Sequence, residues 1–217
     1  MIGKRRKGPG ELSGPGNSRR LGILLSGRGS NFQAICQAIR RGELKAEIAC
    51  VISNVENAPG LEFARNQGLP SFFLDHRQSS REEFDGRMIQ LLRDHRVDLV
   101  CLAGFMRLLS PRFVETFPNR ILNIHPSLLP AFPGLHAQRQ ALEYGVKYSG
   151  CTVHFVDCGL DSGPIILQAV VPVKDGDTEE SLSARILAEE HRLYCRAIRA
   201  VLRGRHRLTG KRFIREL

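Results

Sequence analysis

From Leu21 onward the chain alternates between two patterns. Short apolar runs occur at Leu21–Leu25, Ile48–Ile52, Ser71–Leu74, Leu99–Ala103 and Ile121–Ile124. Between them, near 31–41, 60–67, 81–95 and 111–116, apolar residues recur at helical spacing. Strands alternating with helices in this way predict a mostly parallel sheet covered on both faces. The second half differs. A short helix near 137–144 precedes Ser149–Val156 and Ile165–Val173, which are joined by the turn Asp157-Cys158-Gly159-Leu160-Asp161-Ser162-Gly163. So short a link between two long strands predicts an antiparallel pair. A last amphipathic helix is expected over 178–202, opened by Asp177 and Thr178 and carrying Leu182, Ile186, Leu193, Ala197 and Val201 on one side. The fold class is therefore α/β: a Rossmann-like three-layer α/β/α domain with a mixed, mostly parallel sheet of about seven strands.

Composition supports a packed core, since 42% of the 217 residues are hydrophobic. No stretch approaches the roughly 20 apolar residues of a membrane span. Lys4, Arg5, Arg6 and Lys7 stand where a secretory signal would turn apolar, so a cytoplasmic location is expected. The net charge of +10 sits wholly at the ends: residues 1–20 and 203–217 each hold six cations against one acid. The body between them is formally neutral, which argues against specific nucleic-acid binding. The expected organisation is a flexible basic N-terminal extension (1–20), one domain (21–202) and a basic C-terminal tail (203–217). The six cysteines form no CxxC pair and no zinc spacing, so reduced thiols and no metal are expected.

Directly after the first apolar run comes Ser26-Gly27-Arg28-Gly29-Ser30-Asn31, leading into a helix. A strand, a glycine turn and a helix N-terminus aim backbone N–H groups and a positive dipole end at one point, which suits an anion. A dinucleotide loop would need a third glycine where Phe32 stands and an acid near Ser53-Asn54, and the Lys-Ser/Thr pair of a P-loop is missing. A single phosphomonoester fits better. A tight turn without a ligand stays open on this segment alone.

The fifth run ends in Asn123-Ile124-His125-Pro126-Ser127-Leu128-Leu129-Pro130. Strand alternation puts Asn123 and His125 on the same side, at the carboxyl end where open α/β sheets bind ligands. Asp161 lies in the later turn, between Gly159 and Gly163. Acyl transfer to an amine would use all three. An amide N–H from Asn123 can stabilise an oxyanion, and His125, with an ordinary pKa of about 6.5, can donate a proton near neutrality. Asp161 would favour the imidazolium or hold a water. Taken singly, each residue type is also ordinary turn or strand-end chemistry.

These segments resemble the phosphoribosylglycinamide formyltransferases of purine biosynthesis. The resemblance rests on SGRGSN at Ser26–Asn31, CLAGFMRLLSP at Cys101–Pro111, NIHPSLLP at Asn123–Pro130 and GLHAQRQA at Gly134–Ala141. It continues through GCTVHF at Gly150–Phe155, DSGPIILQ at Asp161–Gln168 and EEH at Glu189–His191. It implies a transferase that moves the formyl group of 10-formyltetrahydrofolate to the amine of phosphoribosylglycinamide. Gly29, Ser30 and Asn31 would then hold the acceptor's phosphate and Glu190 its ribose. Met106, Arg107, Leu108 and Leu109 would line the folate site, with Arg81 and Asn123 contributing. His125 would be the proton donor and Asp161 would raise its pKa. The resemblance also implies a cis Leu129–Pro130 bond. His136 and His154 are read as structural. Partners would be small molecules, for a monomer or homodimer.

Two relatives share the NIHPSLLP-type site. A formyltetrahydrofolate deformylase, the alternative reading, carries an N-terminal regulatory domain that the residues before Leu21 are not expected to supply. Methionyl-tRNA formyltransferases add a C-terminal RNA-binding domain, for which the residues after Leu202 are expected to be too few.

Overall fold

A computed structural model describes residues 19–216. The N-terminal extension expected over 1–20 therefore lies, apart from Arg19 and Arg20, outside the described residues. The strands are β1 (Arg19–Leu25), β2 (Ala46–Ser53), β3 (Ser71–Phe73), β4 (Leu99–Leu102), β5 (Ile121–His125), β6 (Tyr148–Phe155), β7 (Ile165–Pro172), β8 (His206–Thr209) and β9 (Arg212–Arg215). The helices are α1 (Ser30–Arg40), α2 (Pro59–Asn66), α3 (Arg81–Asp94), α4 (Pro111–Thr116), α5 (Ala137–Tyr144) and α6 (Glu179–Leu202). One sheet runs in the order β3-β2-β1-β4-β5-β6-β7-β9-β8. Strands β1 to β5 pair in parallel, whereas β6 pairs antiparallel with both β5 and β7.

The two faces follow from strand alternation. Leu21, Ile23 and Leu25 of β1, Leu99 and Cys101 of β4, and Leu122 and Ile124 of β5 enter one core with α1, α2 and α6. Leu24, Val100, Leu102 and Ile121 point the other way, into a second core with Phe84, Met88 and Leu92 of α3 and Phe113 of α4. Gly22 belongs to that second face. A Cβ there would meet Leu92 Cδ2 at 2.5 Å, so the missing side chain lets α3 lie close. On α6, Leu182, Ile186, Leu193, Ala197 and Val201 are all buried, as the helical spacing predicts. Truncating one of its large apolar residues to Ala would cost roughly 2–5 kcal/mol. Thr178 caps α6 by accepting from Ser181 N, and Ser80 and Glu83 form a capping box on α3.

Among the described residues, nine strands replace the expected number of about seven because residues 206–215, expected within a basic tail, form a hairpin. Its β9 adds to β7 in parallel at Ile165↔Arg212. Leu208, Phe213 and His206 are only half-buried, and Phe213 and His206 pack their rings on Phe155. So thin an apolar face does not stand out in a charge-rich sequence.

Strand order places the functional loops. The chain leaves β1 toward β3, then returns to start β4 on β1's other side. This makes a topological switch between β1 and β4, where the carboxyl ends open a crevice. Ser26 ties the two loops together: its N–H donates to Gly104 O at 2.9 Å, and its Oγ accepts from Met106 N at 2.9 Å.

Candidate active site

On β5, Leu122 and Ile124 enter the α1/α6 core, so Asn123 and His125 face the opposite side of the sheet. Helices α3 and α4 pack over β1 to β5 on that side, and beyond them the loop 126–136 and the turn 157–163 take over. The antiparallel register sets Asn123 opposite His154 and His125 opposite Thr152. A patch of buried polar side chains results: His125, Thr152 and His154 are each at most 4% exposed.

Asp161 comes to this patch from the turn, with a left-handed φ of 48°. Its Oδ2 lies 3.3 Å from His125 Nδ1 and accepts from Gly134 N at 2.8 Å. Its Oδ1 lies 3.4 Å from Asn123 Nδ2 and 3.6 Å from His154 Nε2. The structure thus brings Asn123, His125 and Asp161 together, although Asp161 lies on a different segment.

The ring nitrogens have different partners. His125 Nε2 is 2.8 Å from Phe132 O. A carbonyl only accepts, so Nε2 carries the proton and Nδ1 is the variable position facing Asp161. Burial pushes the His125 pKa below 6.5. The Phe132 carbonyl and Asp161 pull it up and His154 pulls it down, and the net result is a lowered value. For Asp161, burial acts upward, but the proximity of His154, the bond from Gly134 N and the neighbouring His125 outweigh it and hold the carboxyl below its ordinary value. In the free protein at neutral pH the pair is therefore a carboxylate beside a mostly neutral imidazole.

His154, read from sequence as structural, sits at the centre of this network. Its Nδ1 faces Phe155 O at 2.8 Å, which leaves Nε2 to accept from Asn123 Nδ2 at 3.3 Å. Asn123's amide protons thus rest on two long bonds, which a nearer oxyanion can displace. His136, the αL N-cap residue of α5, is exposed and makes no bond to the network.

Gly29 is the N-cap residue of α1, with φ 66° and no side-chain cap on the helix. The first N–H groups of α1 are therefore left for a ligand. Close by, Asn31 Nδ2 donates to Glu190 Oε2 at 2.8 Å, with both residues at 7% exposure. Asn31 Oδ1 is buried and bonds to no described residue. Burial raises the Glu190 pKa, and the bond from Asn31 only partly offsets this. A buried acceptor without a donor, beside an uneasy carboxylate, suits a ligand that offers hydroxyl donors.

The segment 103–110 is pinned by Met106 N on Ser26 Oγ and by Ser110 N on Asp85 Oδ2 at 2.6 Å. Between those pins Met106 and Leu108 are 69% and 59% exposed, an apolar ledge left uncovered. Leu109 instead packs on the second core. The Arg107 guanidinium stands 5.2 Å over the Phe84 ring, and exposed Arg81 lies one helical turn before Phe84 on α3.

A family model described as "Formyl transferase" matches residues 19–198. The chain belongs to the formyl transferase family. Among its relatives, the phosphoribosylglycinamide formyltransferase of Escherichia coli (strain K12) is 49% identical over 173 residues, covering 79% of this chain and 82% of that protein. The trifunctional purine biosynthetic protein adenosine-3 of Drosophila melanogaster is 49% identical over 207 residues, which are 94% of this chain but 14% of that protein. The chain therefore spans only a small part of the trifunctional relatives it matches. Among solved structures, glycinamide ribonucleotide transformylase 1 from Symbiobacterium toebii superposes with a TM-score of 0.91 at 52% identity, covering 97% of this chain and 100% of that one. The mixed α/β sheet is thus the fold of this family. The Leu129–Pro130 bond is cis, as the resemblance implied.

Proposed function

We propose that this formyltransferase moves the formyl group of 10-formyltetrahydrofolate to the amine of N1-(5-phospho-β-D-ribosyl)glycinamide. The observation that carries the choice of acceptor is the pocket of Gly29, Ser30, Asn31 and Glu190. An uncapped helix N-terminus takes the phosphate, and the free Asn31 Oδ1 and the Glu190 carboxylate take ribose hydroxyls. The folate lies along Met106, Arg107, Leu108 and Leu109, with Arg81 and Arg107 meeting its carboxylates and Asn123 meeting its formyl end.

The reaction then needs little from the protein beyond placement and charge. The amine nitrogen bonds to the formyl carbon, and the carbonyl electron pair moves to oxygen. Asn123 Nδ2–H stabilises that oxyanion, a contribution on the order of 10²–10³ in rate. His125 Nδ1 adds a second hydrogen bond once protonated, and the growing negative charge favours this protonation. The proton comes from the attacking amine, with Asp161 beside Nδ1 to steady the imidazolium. Collapse of the intermediate breaks the bond to the folate nitrogen, which takes up the proton. Formylated acceptor and tetrahydrofolate leave.

The test is calorimetric titration of the folate-free protein with phosphoribosylglycinamide and with its 5′-dephospho analogue. Loss of charge-assisted bonds at the helix N-terminus should weaken the analogue about tenfold or more. Equal binding of the two, or no binding of the first, would overturn the acceptor assignment.

A further inference from the structure

The catalytic reading of His125 depends on which ring nitrogen holds its proton, and the device that fixes this lies outside the residues so far assigned. Thr152 stands opposite His125 in the sheet and is fully buried. Its hydroxyl is saturated: it donates to Ser127 O at 2.7 Å and accepts from Leu129 N at 3.0 Å and Gln168 Nε2 at 3.0 Å. Gln168, opposite Thr152 on β7, also donates to Leu129 O at 2.9 Å. Ser127 Oγ continues the chain of bonds to Ala131 O at 2.5 Å, and Ala131 N returns to Leu128 O at 3.0 Å. Every residue from Ser127 to Ala131, apart from Pro130, is thus bonded to this network. Phe132 follows with a left-handed φ of 52°, and its carbonyl meets His125 Nε2.

We propose that Thr152 and Gln168 are positioning residues that clamp the loop 127–132, hold the Phe132 carbonyl on His125 Nε2, and so keep Nδ1 as the reacting nitrogen. A neutral imidazole has one proton to place. With Phe132 O at Nε2 it goes there. If that carbonyl drifts, the Asp161 carboxylate at Nδ1 claims the proton, and the ring presents the wrong tautomer to the substrate. Asp161 and His154 are the titratable groups set against this ring, from the turn and from β6. Asp161 meets the ring at Nδ1 and the Phe132 carbonyl meets it at Nε2, so the loop that carries that carbonyl is what holds the proton on Nε2.

This inference rests on the proposed role of His125, and its test separates the two. ¹⁵N-histidine spectra report the tautomer without any substrate. Thr152→Val keeps the side-chain shape and loses the hydroxyl. It should shift His125 toward the Nδ1–H form and lower kcat about tenfold or more, while KM stays within about twofold. Thr152→Ser should restore both. Gln168 is exposed, so Gln168→Met tests the clamp without threatening the fold and should move tautomer and kcat in the same direction. An unchanged tautomer in Gln168→Met, or in a folded Thr152→Val, overturns the clamp even if kcat falls. Should the wild-type protein fail to transfer formyl groups, the functional reading falls, but the tautomer still decides this one.

Discussion

His125 Nδ1 stands 3.3 Å from Asp161 Oδ2, with the opposite ring nitrogen held by Phe132 O. Two acceptors favour the charged ring, burial opposes it, and burial prevails, leaving the pKa below 6.5. Removing the Asp161 charge removes one of the causes that raise it. Asp161→Asn should therefore make His125 titrate at still lower pH by NMR, with kcat reduced about 100-fold or more and the fold intact. An unshifted titration would mean that Asp161 does not tune this imidazole.

Asn123 is proposed to act only on charge that develops during reaction. Asn123→Ala should lower kcat by about 10²–10³ with little change in either KM. His125→Ala should likewise lose orders of magnitude in kcat while the melting temperature barely moves. A loss confined to KM would assign these residues to binding instead.

Glu190, proposed to hold the acceptor's ribose, also bears on stability. Its folded pKa is raised above 4.5, so the folded chain holds the proton better than the unfolded chain does. Above pH 4.5 the buried charge costs stability, increasingly until the pH passes the folded pKa; below 4.5 the cost disappears. Glu190→Gln should thus melt higher at pH 7, by about 2–4 °C for each 1 kcal/mol recovered, with no gain in acid. The same variant should raise the KM for the acceptor. A variant that is less stable at pH 7 would contradict this account.

Gly29 combines φ 66° with close neighbours: a Cβ would meet Gly60 Cα and Leu25 Cδ2, each at 3.2 Å. Gly29→Ala should destabilise the protein by about 1–2 kcal/mol from the left-handed conformation alone. It should also weaken acceptor binding more than folate binding, read by titrating each ligand.

The elements from β1 to α6 were legible because apolar runs and helical spacing are local signals, and Asn123 and His125 shared a face for the same reason. What the sequence hid depended on pairing between distant segments. His154 faces Asn123 only through the β5–β6 register, and Thr152 reaches the loop only through that same pairing. A backbone carbonyl, here that of Phe132, has no sequence signature at all. The direction of the His125 pKa was hidden too, since it depends on burial under two loops rather than on the neighbouring acid. The last two strands were missed because their apolar residues are few among arginines.

The central claim is that the nucleophile is the amine of the acceptor and not water. Supplying formyl-¹³C donor with phosphoribosylglycinamide and following both fates of the label by mass spectrometry tests this directly. The account predicts label in the formylated acceptor, mole for mole with tetrahydrofolate, and no folate product when the acceptor is left out. Label appearing as formate at the same rate with or without acceptor would contradict it and point to the deformylase.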